Sequence, residues 1–220
     1  MPSILNNVAA LQATRQLGIT GAGMKATIER LTTGRRINHA SDDAAGLAQA
    51  TTLDSNARIA SETRKLANNT YYAAAAEDGY MEEATSLAQR AVELAAGGNG
   101  TSAEFTQVAS LAAAAFGNAT TYIGGQTMTA ITDATTAATA LQDVSSARSN
   151  IASAMAQAQS NASLNGIKVE NFTAQKSNIM DADIGSEVVN LTKWQVLSQA
   201  GTSALSQANQ SSQYVLSLLR

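Results

Sequence analysis

The sequence contains no cysteine, one histidine, one proline and very few ring side chains. Without cysteine there is no disulfide, no thiolate nucleophile and no thiolate metal ligand. His39 is the sole imidazole, so neither a histidine metal cluster nor a Ser–His pair is expected, and it reads as a solvated connector residue. The only proline is Pro2, so nothing after it forbids helix. Aromatic residues make up 4% and charged residues 14% of the 220 positions, while Ala, Ser, Thr, Asn and Gln dominate. That supplies little apolar area for a thick core and favours long helices, because Ala is the best helix former.

Other classes fall away on similar grounds. No run of 18 apolar residues occurs, so no membrane insertion is expected. The segment 1–16 lacks a basic region followed by a continuous apolar one, so no secretory signal is expected. A net charge of −3 gives no basic footprint for nucleic acid, and Arg35-Arg36 reads as two solvated side chains. Asp42-Asp43 reads as helix-capping rather than metal-binding, since adjacent helical residues diverge by about 100°, and no further ligands stand near either this pair or Asp181-x-Asp183. Gly97-Gly98-Asn99-Gly100 lacks the lysine of a phosphate loop. No catalytic, cofactor-binding or metal residues are expected, and the chain does not read as an enzyme.

What is present is a pair of uncharged helical ends. Residues 1–14 carry no charged side chain, and neither do residues 194–219. Ile4, Val8 and Leu11 step by four and three. So do Leu191, Trp194, Leu197, Gly201, Leu205, Ala208, Ser212, Val215 and Leu219, with Leu218 beside the last. An apolar stripe at this period seeks a partner helix. The other faces are Ser, Gln, Asn and Thr, whereas a solvated helix normally carries charge. Such faces suit helices packed against copies of the same chain, with an intramolecular helix pair as the plainer alternative. Gly18, Gly21 and Gly23 are expected to loosen the first helix, and a second apolar step follows at Met24, Ile28 and Leu31.

Two ladders of seven-residue spacing lie between the ends. Ser41, Asp42 and Asp43 mark a helix start after a 35–41 connector, and the helix is expected over 42–96, roughly 80 Å long. Its seam is read from Ile59, Leu66, Ala73, Tyr80, Leu87 and Leu94, with Ala84 and Ala91 supporting its later half. A return helix over 133–165 carries Ala134, Ala137, Leu141, Val144, Arg148, Ile151, Met155, Ala158 and Ala162, continuing in spacing through Val169, Phe172 and Ile179 beyond a kink at Asn165-Gly166. The two ladders are natural antiparallel partners. Residues 102–132 read as a short helix, capped by Ser102 and using Phe105, Val108, Leu111 and Phe116, followed by a small β-hairpin near 118–132 around Gly124-Gly125. The fold class is mainly α, built of long antiparallel coiled coils.

Both ends carry a resemblance. Glu29-Arg30-Leu31-Thr32-Thr33-Gly34, Arg36-Ile37-Asn38 and Asp42-Asp43-Ala44-Ala45-Gly46-Leu47-Ala48 resemble the N-terminal signature of bacterial flagellins. Ile179, Asp181-Ala182-Asp183, Gln199-Ala200-Gly201-Thr202-Ser203, Gln207-Ala208-Asn209-Gln210 and Val215-Leu216-Ser217-Leu218-Leu219-Arg220 resemble their C-terminal signature. The matches cover roughly 1–100 and 130–220, and almost nothing is inserted where family members carry outer domains.

The resemblance implies a structural subunit of the flagellar filament, secreted through the flagellar type III export channel and located in the extracellular filament. It implies terminal helices, 1–34 and 180–220, paired as the inner-tube coiled coil, and a helical rod, 35–179, in the outer tube. Its implied partners are copies of itself, an export chaperone, the filament cap and the hook-junction proteins. A hook–filament junction protein, sharing the same terminal architecture, is the alternative, and a membrane-acting secreted protein is a more distant one. Gln89, Arg90 and Leu94 match part of the face that some members present to the flagellin-specific Toll-like receptor, with packing within the rod as the competing role. In the later rod helix, Met155-Ala156-Gln157 stands where the family often has Gln-Asn-Arg.

Overall fold

A computed structural model describes the backbone of residues 7–218 and the side chains of residues 7–211. The chain is mainly α, as its composition and spacing predict. Its helices are α1 (Val8–Thr33), α2 (Ala44–Leu94), α3 (Ala103–Asn118), α4 (Ala134–Met180) and α5 (Ile184–Leu218). They divide between two compact units. One holds α1, α2 up to Asp54, α4 from Thr173, and α5; the other spans Ser55–Phe172.

In the first unit the ends of the helices are fixed by short-range chemistry. Asn7 caps α1, its side chain accepting from Ala10 N–H at 3.0 Å, and Gly34 closes it with φ 68°. Only glycine takes that left-handed conformation at little cost. The next residues run beside the end of α4. Arg36 N–H donates to Met180 O at 2.6 Å and Ala182 N–H to Gly34 O at 2.9 Å. This bridge between Arg35 and Asp181 is the one strand-like pairing among the described residues. Ile37, Ala50 and Met180 are buried beneath it. Asp43 begins α2 by accepting from Gly46 N–H at 2.8 Å. Asp42 faces backwards, accepting from His39 N–H at 2.9 Å and Asn38 N–H at 3.1 Å. The cap expected of Ser41 thus falls to Asp43, and Ser41 is exposed.

In the second unit α2, α3 and α4 share one core. The buried positions of α2 are Ala60, Ala67, Ala74, Met81 and Ala88, spaced by seven, joined by Glu77, Ala84 and Ala91. The period is the expected one, and Ala84, Ala91 and Leu94 of the expected seam are buried, but the heptad line through Ala60 to Ala88 lies one residue later than the expected one. Ile59 and Leu66 stand outside it, 61% and 66% exposed, as does Tyr80, while Leu87 is half-buried and Leu94 buried. Small side chains explain the shift: alanine at the contact lets two helix backbones approach closely, where Ile and Tyr would hold them apart. On α4 Ala134, expected to start the ladder, is exposed. Ala137, Val144, Ile151 and Ala158 are buried, and Leu141, Met155 and Ala162 half-buried. The helix continues unbroken through Asn165-Gly166 to Met180, past the expected end at 165.

α3 begins at Ser102, whose hydroxyl accepts from Phe105 N–H at 3.1 Å, and it buries Phe105, Ala112, Ala115 and Phe116. Leu111, expected on this stripe, is 49% exposed.

The hairpin expected near 118–132 does not form, and no strand occurs among the described residues. Gly124 and Gly125 do turn the chain, both at positive φ. The backbone donors on either side are taken by helix side chains instead of a cross-strand partner. Glu77 accepts from Thr121 N–H at 2.9 Å and Tyr122 N–H at 2.8 Å. Asp143 accepts from Thr129 N–H at 2.7 Å and its hydroxyl at 2.6 Å. Asn150 donates to Ile123 O at 3.0 Å. Ala119 and Ile123 meanwhile bury into the helix core.

The one-residue shift of the α2 ladder is testable by paired truncations. Ile151→Ala, at 0% exposure, should cost about 2–4 kcal/mol. Ile59→Ala should cost less than about 0.5 kcal/mol. Thermal or urea unfolding followed by circular dichroism measures both, and a large loss from the Ile59 change would contradict the register.

Candidate self-association surface

The terminal helices α1 and α5 pack on each other antiparallel. Asn7 Nδ2 donates to Ala208 O at 3.0 Å, and Arg30 meets Glu187 at 3.3 Å at the other end. Between these tie-points two glycines receive large side chains. A Cβ on Gly23 would lie 2.7 Å from Trp194 Cε2, and one on Gly201 would lie 2.8 Å from Leu17 Cδ2. Neither distance is sterically allowed, so the absence of a side chain makes the notch. The glycines expected to loosen α1 leave the helix continuous, and Gly23 seats the indole.

The inward face of α1 runs through Ala10, Ala13, Leu17, Thr20, Met24, Thr27 and Leu31, all buried or half-buried. On α5 the inward residues are Glu187, Leu191, Trp194, Leu197, Gly201, Leu205 and Ala208. The described part of the α5 series, Leu191 to Ala208, faces α1. Of the residues that spacing singles out on α1, Met24 and Leu31 face inward, whereas Val8 is 56%, Leu11 64% and Ile28 48% exposed. Exposed apolar residues also include Ile19 on α1 and Val188, Val189 and Val196 on α5. Ile4 and Leu219 lie outside the described residues, and the side chains of Val215 and Leu218 lie outside the described side chains. Spacing did not mark the rest of the inner face of α1, because Ala and Thr carry too little apolar character.

Single exposed apolar residues are ordinary, whereas contiguous apolar patches accompany interaction sites. No described helix is long and apolar enough to cross a membrane. Two polar atoms add to the incompleteness: Thr20 Oγ1 and Glu187 Oε2 are buried without a hydrogen-bond partner among the described residues.

Of the signature aspartates, Asp43 and Asp183 cap helices, while Asp42 holds the preceding turn and Asp181 accepts from the Ser177 hydroxyl. Asp183 Oδ1 accepts from Gly185 N–H at 2.9 Å and Oδ2 from Ser186 Oγ at 2.8 Å. The Ser186 hydroxyl, then the backbone donors, hold this carboxyl below its ordinary range. The N–H groups of His39 and Asn38 do the same for Asp42. At the start of α4, Thr136 and Thr135 lower Asp133, a cap the sequence reading did not single out. His39 Nε2 stands 2.8 Å from Glu29 Oε1.

The three residues matched to a receptor face separate. Gln89 and Arg90 are exposed. Arg90 bonds Glu104 at 2.9 Å and Glu93 at 3.2 Å, and these partners raise its pKa. Leu94 is 8% exposed and packs with Phe105 and Ala137, so it serves the core and offers no surface.

Comparison with known proteins places the signatures in context. The chain matches the bacterial flagellin N-terminal helical region over residues 4–125 and the C-terminal helical region over residues 134–219. It is 30% identical to flagellin FlaB1 of Treponema pallidum (strain Nichols), over 99% of both chains. It is 28% identical to the flagellar filament 30.7 kDa core protein of Treponema maltophilum, over 98% of this chain and 99% of that one. A flagellin of Salmonella typhimurium is 44% identical, but over 37% of this chain and 16% of its own length.

Cap chemistry sets an acid limit. A carboxyl lowered in the folded state stabilises it fully above the ordinary carboxylate range, and that contribution is lost as pH falls through the lowered value. Asp42→Asn with Asp183→Asn should therefore lower the melting temperature at pH 7. It should also flatten its decline below about pH 4. Circular dichroism melts across pH check this, and an unchanged acid limb would refute it.

Proposed function

Because this chain belongs to the bacterial flagellin family, we infer that it acts by polymerising, through the exposed apolar residues of the α1–α5 pair, into the flagellar filament used for swimming. The chain is a core-only flagellin, a structural subunit of the extracellular filament, and copies of itself are its principal partner. The relatives matched end to end are a flagellin and a filament core protein.

The observation that carries the interface is the exposure of Val8, Leu11, Val189 and Val196 on helices whose intervening faces carry little charge. The facing sides of this pair carry Leu17, Met24, Leu31, Leu191, Trp194, Leu197 and Leu205, all only half-buried within one chain. Ordering each residue costs roughly 1–2 kcal/mol of entropy. Folding of this pair is therefore completed by neighbours in the filament, which cover the exposed apolar residues. In this reading residues 1–34 and 180–220 form the inner-tube coiled coil and 35–179 the outer rod. An export chaperone, the filament cap and the hook-junction proteins are the heterologous partners, with the chaperone holding α5 before export. The chain has no catalytic role in this scheme.

Two sets of variants test it. Deleting residues 192–220 should give a soluble, partly helical monomer that never forms filaments by electron microscopy. Val8→Asp with Leu11→Asp should leave monomer helicity within about 10% of wild type, since surface changes rarely disturb a fold, yet abolish filaments. Filaments of normal yield from either would remove the proposed interface.

A further inference from the structure

The rod segment Ser55–Phe172 separates its charges along its length. Taking buried Ala60, Ala67, Ala74, Met81 and Ala88 as position a of a heptad and Glu77, Ala84 and Ala91 as d, the outward positions of α2 are b, c and f. Early in the helix position f carries Arg58 and Lys65, with exposed Arg64 beside them; later, the outward positions carry Glu82, Glu83 and Glu93. The antiparallel α4 follows the same division. Gly166 lies against Arg64, which brings exposed Lys168 to the basic end. Over 55–72 and 157–172 four cations face two carboxylates. Over 73–156 eight carboxylates face two arginines.

Those two arginines are committed. Arg148 forks onto Asp78 at 2.9 and 3.2 Å, and Arg90 binds Glu93 and Glu104. Glu77 and Asp143 are spent on backbone N–H groups. Lys65 Nζ meets Glu62 Oε1 at 2.7 Å, an exposed pair, whereas Arg64, Lys168, Glu82 and Glu83 are exposed and reach no ion-pair partner among the described residues. Apolar Ile59 and Leu66 lie exposed among the cations, and Tyr80 beside the carboxylates.

We propose that the basic end of this segment docks head-to-tail on the acidic end of a second copy, Arg64, Lys65 and Lys168 facing Glu82 and Glu83. The proposal rests on the reading of the chain as a filament subunit. An open polymer needs a heterologous contact, made by two different patches of one chain that complement each other. The charge division provides such a pair, and like ends repel, which sets the polarity of addition. Glu82 and Glu83 lie roughly 25–30 Å along α2 from Arg64 at about 1.5 Å per residue. That exceeds the Debye length at physiological salt, so the two ends do not neutralise each other within one molecule.

Seeded growth of the full-length chain, with sonicated filaments as seeds, tests this between about 20 and 500 mM NaCl. Growth should slow about tenfold as salt rises. Arg64→Glu with Lys65→Glu, and separately Glu82→Lys with Glu83→Lys, should each slow growth by a similar factor at low salt while leaving monomer circular dichroism unchanged. The fourfold exchange should restore growth to within about threefold of wild type, because the pairing is then reversed but intact. Growth indifferent to salt, a fourfold variant no better than either double, or a salt-sensitive species that stops at two chains would overturn the proposal. A wild-type chain that forms no filament under any condition would instead overturn the filament reading beneath it.

Discussion

Two helices approach only as near as their smallest facing side chains permit, and this chain puts alanine and glycine at nearly every such point. In the segment Ser55–Phe172 the buried line of α2 is alanine at four of its five heptad positions, with Met81 the exception. Between α1 and α5 the close points are Gly23 and Gly201, each holding one large side chain from the other helix. Close approach increases dispersion contact per residue and lets a chain with few aromatics build continuous cores. It also displaces Ile59, Leu66, Val8 and Leu11 to the outside. The exposed apolar residues are a direct result of how the inside is packed.

The same preference decided what was legible in the sequence. Periods of seven and of three to four were plain, and they gave the helices and their approximate limits. The α4 ladder could be read because Val144, Ile151 and Met155 mark it strongly. Ala84, Ala91 and Leu94 of the expected α2 seam are buried, but the line through Ile59, Leu66 and Tyr80 was displaced by one residue, since the eye follows Ile, Leu and Tyr whereas the contact selects Ala. On the inner face of α1, Met24 and Leu31 could be read and Ala10, Ala13, Thr20 and Thr27 could not, for the same reason. The absent hairpin has another cause. Gly124-Gly125 does turn the chain, but the carboxylates that claim the neighbouring donors, Glu77 and Asp143, lie 44 and 14 residues away from the N–H groups they bind. No local signal announces such a partner. The motif residues at the chain ends, by contrast, were identified by type and order, and their capping chemistry follows from each Asp standing just before a helix.

Packing and assembly then belong to one scheme. The buried faces need little apolar mass, which leaves the outer faces to carry it, and the outer faces of the terminal pair bear few charges that would oppose close contact with another copy. On the proposed filament reading, a subunit of this kind gains order from its neighbours, and helices completed only there would keep the chain passable until it is assembled.

Trp194 gives the chain a single indole, set against the bare backbone of Gly23 with Lys193 Nζ 5.5 Å from its ring. No other tryptophan contributes to emission above the tyrosine band. The molecule thus carries a built-in optical probe confined to the pairing of its two ends, reporting on that event without any label and without interference from the long helices between them.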